Sequence, residues 1–125
     1  MPTSPTTTIP ESVRAAFEAF NAGDPEPLIA LYVDRDVLLI GTEEDSYLQD
    51  PTAIAQALRT EAGQLRADWD VRAQPLGADG QLLTGRISFI LADGNVVGTR
   101  ATYVLRHDGD DWRIVHSHLS IPQGR

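Results

Sequence analysis

The chain has 125 residues, 42% of them hydrophobic and 22% charged, the make-up of one globular domain with one core. Ten basic residues against eighteen acidic ones give a formal net charge of −8, which argues against nucleic acid and acidic membrane surfaces as partners. Cysteine and lysine are both missing, which excludes disulfides, thiolate nucleophiles, sulfur-bound zinc and Schiff-base chemistry.

Residues 1–9, rich in Pro and Thr, offer little to bury and are expected to be a disordered tail. They carry neither a basic segment nor an apolar stretch, so no export signal is expected and a cytoplasmic location follows by default. No apolar run approaches the ~18 residues of a membrane span. Pro10 suits the first position of a helix. Val13, Ala16, Phe17 and Phe20 then fall at i, i+3, i+4 and i+7, one apolar face, and Gly23 stops the helix. Asp24-Pro25 reads as the cap and first residue of a short second helix that turns Leu28, Ile29, Leu31 and Tyr32 inward. Val37 to Ile40 reads as a short buried strand, and Ser46 to Gln49 as a second. Asp50-Pro51 repeats the helix-start signal ahead of Ile54, Leu58, Ala62 and Leu65.

The period then changes. Asp-Gly pairs at 79–80, 93–94 and 108–109 divide the rest into four strands, about Ala67–Pro75, Gln81–Ala92, Val96–His107 and Trp112–Ile121. Helices followed by an antiparallel meander mean an α+β domain, residues 10–122, with a short tail at 123–125. Strands this long must coil, and three N-terminal helices fill only part of the concave side of a strongly curved antiparallel sheet. A cone with an internal pocket at its open end is the expected result.

Two stretches carry a family resemblance. Phe20-Asn21-Ala22-Gly23-Asp24 with Leu31-Tyr32-Val33-Asp34-Arg35-Asp36-Val37 resembles the helix, turn, helix and first strand of SnoaL-like proteins and ketosteroid isomerases. Trp112-Arg113-Ile114-Val115-His116-Ser117-His118-Leu119-Ser120-Ile121-Pro122 resembles the last strand of SnoaL-like proteins, and is also similar to that of calcium/calmodulin-dependent kinase association domains. The resemblance spans about residues 10–122 and implies a nuclear transport factor 2-like fold. That superfamily holds isomerases, dehydratases, epoxide hydrolases, polyketide cyclases and non-catalytic assembly domains, so fold alone leaves function open. Matched on Asn21-Ala22-Gly23-Asp24, the ketosteroid isomerase tyrosine falls on Ala16, its base on Ile40 and its second aspartate near Tyr103. Two of the three roles are empty, which rejects that activity.

Several residues remain as site candidates. Among Glu43, Glu44 and Asp45, Glu43 or Asp45 would serve as a general base if buried; the same run also reads as a solvated acidic loop. Arg100 shares a strand face with Thr102, and Arg86 shares one with Ser88. An arginine inside the cone would clamp an acidic or carbonyl oxygen; outside, it would pair with an acid or sit at a dimer contact. Similar domains keep a pocket arginine near Arg100. Tyr103 is a hydrogen-bond donor, and Tyr32 and Trp69 read as pocket wall or core.

His116, His118 and Ser120 point one way and would bind ligand, move a proton or fill an interface. Without a bulge, Trp112 and Ile114 share their face, while Ser117, Leu119 and Ile121 share the other. Similarity to related folds puts Leu119 inside, and a single bulge reverses the assignment. No metal or cofactor is expected. The leading reading is a SnoaL-like small-molecule binder or cofactor-independent enzyme, doing isomerase-, dehydratase- or cyclase-type chemistry on a hydrophobic ligand. The alternative is an assembly module. A homodimer through the outer sheet face, offered by Ile87, Phe89 and Leu91, is expected in both cases.

Overall fold

A computed structural model describes residues 9–34, 36–42, 47–109 and 111–122. Helix α1 (Glu11–Asn21) buries Val13, Ala16, Phe17 and Phe20, the face its periodicity predicts. It ends where Gly23 takes φ 93° and Asp24 donates back to the Ala19 carbonyl at 2.9 Å, a closure that a left-handed residue permits. Helix α2 (Glu26–Leu31) starts one residue later than Asp24-Pro25 suggests, with Pro25 at the cap and the Asp24 carboxylate accepting from the Glu26 N–H at 3.2 Å. Helix α3 (Pro51–Glu61) begins as expected, with Asp50 accepting from the Thr52 N–H at 3.0 Å.

Six strands complete the chain: β1 (Leu38–Ile40), β2 (Tyr47–Leu48), β3 (Leu65–Leu76), β4 (Gly80–Leu91), β5 (Val96–Asp108) and β6 (Asp111–Ser120). They form one open, curved sheet in the order β2-β1-β6-β5-β4-β3. The sheet is mixed rather than wholly antiparallel. β1 runs parallel to β6, and the same pairing reaches back to a Tyr32–Ile114 bridge. The turns after Asp93 and Asp108 fall on the expected Asp-Gly pairs. The first turn lies earlier, with Gly77 at φ 73° and Gly80 already in β4.

Register decides which side chains face the helices. Ile87 is 1% exposed, so Phe89 and Leu91, at the same phase of β4, also point inward. That corrects the expectation that these three form the outer face. On β5, Ala101, Tyr103 and Leu105 are buried, which turns Arg100, Thr102 and Val104 outward. On β6 the partner of Val104 is His116 and the partner of Leu105 is Ile114, leaving Val115 as a bulge. Ile114 and Ser117, three apart, are therefore both fully buried.

Two features set the curvature. Asn21, the last residue of α1, donates to the Ala67 carbonyl at 2.8 Å and accepts from the Ala67 N–H at 2.7 Å, fastening β3 to the helix. At Gly85, a Cβ would stand 2.1 Å from the Asp70 carbonyl oxygen and 2.6 Å from the Val71 Cα. The chains approach there more closely than any side chain allows. Gly85→Ala is expected to lower stability by about 1–3 kcal/mol, as forced overpacking does. Gly98→Ala, with nothing near its Cβ, should leave stability almost unchanged. Urea denaturation of the two variants checks both.

Candidate functional site

Between the helices and the concave face of the sheet remains a cavity of about 390 Å³. Phe17 and Phe20 of α1, Leu58 of α3, Ile87 and Phe89 of β4 and Leu119 of β6 are among the apolar residues of its wall. Its polar side chains are few: Tyr32, Tyr103, Thr42 and Glu61. Mostly apolar walls with a few convergent polar groups are what a small-molecule site requires.

Tyr103 enters from β5, its ring set edge-on to Phe17 at 5.7 Å. Its hydroxyl takes part in no side-chain hydrogen bond among the described residues. Burial pushes its pKa well above the ordinary value, and the nearby Tyr32 and Glu61 add to the effect. Tyr32 enters from the end of α2 and shares a 3.0 Å hydrogen bond with the Ser117 hydroxyl. Burial pushes Tyr32 up to about 12, with the Ser117 bond working against the rise and Glu61 with it. Both phenols are neutral near pH 7 and so remain hydrogen-bond donors.

Glu61 closes α3 and lines the cavity as an exposed residue at its mouth. Glu61 lines the same cavity as the two tyrosines, and its charge adds a little to the upward push on both phenols. Loss of water against the apolar wall raises its pKa above 4.5. Sequence reasoning passed over Glu61, though a signal existed. It stands three residues after Leu58, adjoining the apolar stripe of α3, which ends at Glu61 and not at Leu65, the first residue of β3.

The other sequence candidates divide cleanly. Tyr32 and Tyr103 line the cavity. Trp69 faces inward too, but packs against Phe17 at 5.3 Å as part of the core. Arg86, Ser88, Arg100, His116, His118 and Ser120 are all on the outer face, contrary to their expected site roles. Arg86, Arg100 and Ser120 form one cross-strand row there, and Thr102 and His118 another. The two His rings are 6.4 Å apart, and partial burial together with the His118 charge lowers the His116 pKa. The bulge at Val115 is the reason: it lets Ile114 face inward without bringing the histidines with it. Glu43 and Asp45 lie outside the described residues. Among the described residues, no three His, Asp or Glu side chains cluster as metal ligands do.

A larger cleft of about 610 Å³ lies on the other side of Tyr32, bordered by Asp34, Asp36, Arg106, Asp108 and Arg113. Its charged groups are solvated or engaged with protein: Arg113 donates to the Ala30 carbonyl and lies 3.9 Å from Asp108. The apolar cavity is the better candidate. No helix among the described residues is long and apolar enough to cross a membrane.

Comparison with known proteins gives one family and many structures. The SnoaL-like domain family model matches residues 9–124. A candidate calcium/calmodulin-dependent protein kinase type II association domain from Thiobacillus denitrificans is 27% identical. It covers 95% of this chain and 99% of its own, with a TM-score of 0.72. A similar candidate domain from Xanthomonas campestris is 21% identical and covers 100% and 99%, with a TM-score of 0.74. An NTF2-like protein of unknown function from Pseudomonas putida is 19% identical and covers 91% and 84%, with a TM-score of 0.77. No curated protein matches the sequence.

The raised Glu61 pKa has a signed consequence for stability. The folded state holds this proton more tightly than the unfolded state, so the Glu61 contribution is full below about 4.5 and is lost as pH rises through the folded pKa. The ionisable groups sharing its cavity among the described residues, Tyr32 and Tyr103, stay neutral throughout. Glu61→Gln should therefore raise Tm at pH 7, with a gain that shrinks towards zero as pH falls to about 4.5. Thermal melts of both proteins across pH check this.

Proposed function

The chain belongs to the SnoaL-like domain family, and we propose that its cavity binds a small, mainly apolar molecule bearing one carbonyl-type oxygen. The observation that carries this is the Tyr103 hydroxyl, a neutral donor without a side-chain hydrogen bond among the described residues, inside a mostly apolar space. A ligand oxygen entering the cavity would find this donor free of any side-chain hydrogen bond among the described residues. Tyr32 is held for the same task by Ser117. In isomerisation, dehydration or cyclisation the bound oxygen would gain negative charge, and the two phenols would stabilise it without a cofactor.

The test is a thermal-shift screen with polyketide-like, steroid-like, terpenoid and small-acid compounds. A ligand at about 100 times its Kd adds about 2.7 kcal/mol of stability. Tyr103→Phe should weaken binding of any hit by about tenfold, the worth of one buried hydrogen bond. Arg100→Ala, on the outer face, should leave it unchanged. If Tyr103→Phe binds every hit as well as the parent does, the reading is wrong.

A second reading, an assembly module, is favoured by the outer sheet face. No described helix covers it, and Leu38, Ile40, Tyr47, Leu82 and Val104 sit there at paired positions, Tyr47 59% exposed. The likeness to candidate kinase association domains points the same way. We propose a homodimer through this face in either reading. Light scattering at micromolar concentration should give twice the chain mass, and Val104→Arg should halve it. A monomeric parent protein would remove the proposal.

A further inference from the structure

Among the described residues lining the cavity, Glu61 is the one carboxylate. Among the described residues lining it there is no Arg and no His, and the chain has no Lys. The nearest arginine in sequence, Arg59, is committed elsewhere. Its guanidinium grips Glu26 of α2 through two hydrogen bonds of 2.8 and 3.0 Å. Glu61 itself takes part in no ion pair and no side-chain hydrogen bond among the described residues. It is an exposed carboxylate at the rim of a mostly apolar cavity, without a cation partner among the described residues.

Resting on the binding reading above, we propose that the cavity selects an apolar amine, with the ligand's ammonium on the Glu61 carboxylate at the mouth and its apolar body running inward towards Tyr103. The arrangement separates charge in the way such a ligand needs. The mouth is partly wet and acidic, and the interior is aromatic and aliphatic with only neutral donors. An ammonium at Glu61 gains a charge-assisted hydrogen bond and relieves the carboxylate's lost hydration. An acidic ligand would meet Glu61 as a like charge and find no basic group to offset it. The net charge of −8 adds a long-range bias in the same direction, since it draws cations and repels anions. The sequence expectation of an arginine clamp for an acidic oxygen is thereby reversed in sign.

The test is calorimetric titration of the full chain at pH 7 with three probes of one shape: 4-phenylbutylamine, 4-phenylbutanol and 4-phenylbutyrate. The amine should bind about tenfold tighter than the alcohol, as one charge-assisted hydrogen bond provides, and the acid should bind weakest. Glu61→Gln should bring the amine to the level of the alcohol and leave the alcohol unchanged. The inference fails, with the cavity reading intact, if the alcohol binds and the amine is no tighter. It fails equally if the amine's advantage survives Glu61→Gln, or if the acid binds best. If none of the three binds, the inference fails, and the binding reading stands or falls by the thermal-shift screen.

Discussion

The bulge at Val115 is the constraint on which the rest of the site depends. A regular β6 would have to choose. With Ile114 in the core, His116, His118 and Ser120 would follow it inside; with Ser117 and Leu119 inside, Ile114 would face water. One unpaired residue removes the choice. Below the bulge, Ile114 seals the core where the chain passes Tyr32; above it, Ser117 reaches the Tyr32 hydroxyl and Leu119 lines the cavity. β1 pairs with β6 beyond the bulge, so it inherits the corrected phase, with Leu39 turned in and Leu38 and Ile40 turned out. A single backbone irregularity therefore sorts apolar wall from outer face across three strands.

The cavity persists because the sheet bends more sharply than the helices can follow. Gly85 and its cross-strand partner Ala101 keep the middle of the concave face thin, and Phe17 fills that middle between Trp69 and Tyr103. Beyond Phe17, α3 borders the remaining space without filling it. The side chains at that end, Leu58, Phe89, Leu119 and Tyr103, line a space instead of closing it. Dense packing at one end and a void at the other are thus products of the same curvature.

Much of the architecture was legible in the residues. The apolar face of α1, the Asp50-Pro51 start of α3 and two of the three Asp-Gly turns all act through local chemistry, and each stands where that chemistry puts it. The sides of the sheet were less legible. Arg86-Ile87-Ser88-Phe89 alternates, and the alternation separates two sets without saying whether the apolar one faces the helices or a partner. Arg100 and Tyr103 are three apart, and a regular strand cannot aim both inward; burial resolved the pair in favour of Tyr103. Glu61 was hidden for a different reason. A carboxylate at a helix end is ordinary in water, and only the cavity beside it makes the position unusual. The bulge leaves no residue signature in β6, since Val115 is itself a good strand former.

The Asn21–Ala67 clamp also bears on how the sheet ends. β3 is an edge strand of twelve residues, long enough to template the addition of a foreign strand. At Ala67, where the backbone donor and acceptor turn away from β4, the Asn21 amide takes both, standing in for one residue of a seventh strand. Farther along, Arg66, Asp68, Asp70 and Arg72 put charge of both signs beside the open edge, and Pro75 withholds a donor. The edge is closed to further growth by one side-chain amide, four charges and a missing N–H, so the device that fastens helix to sheet is also a guard against aggregation.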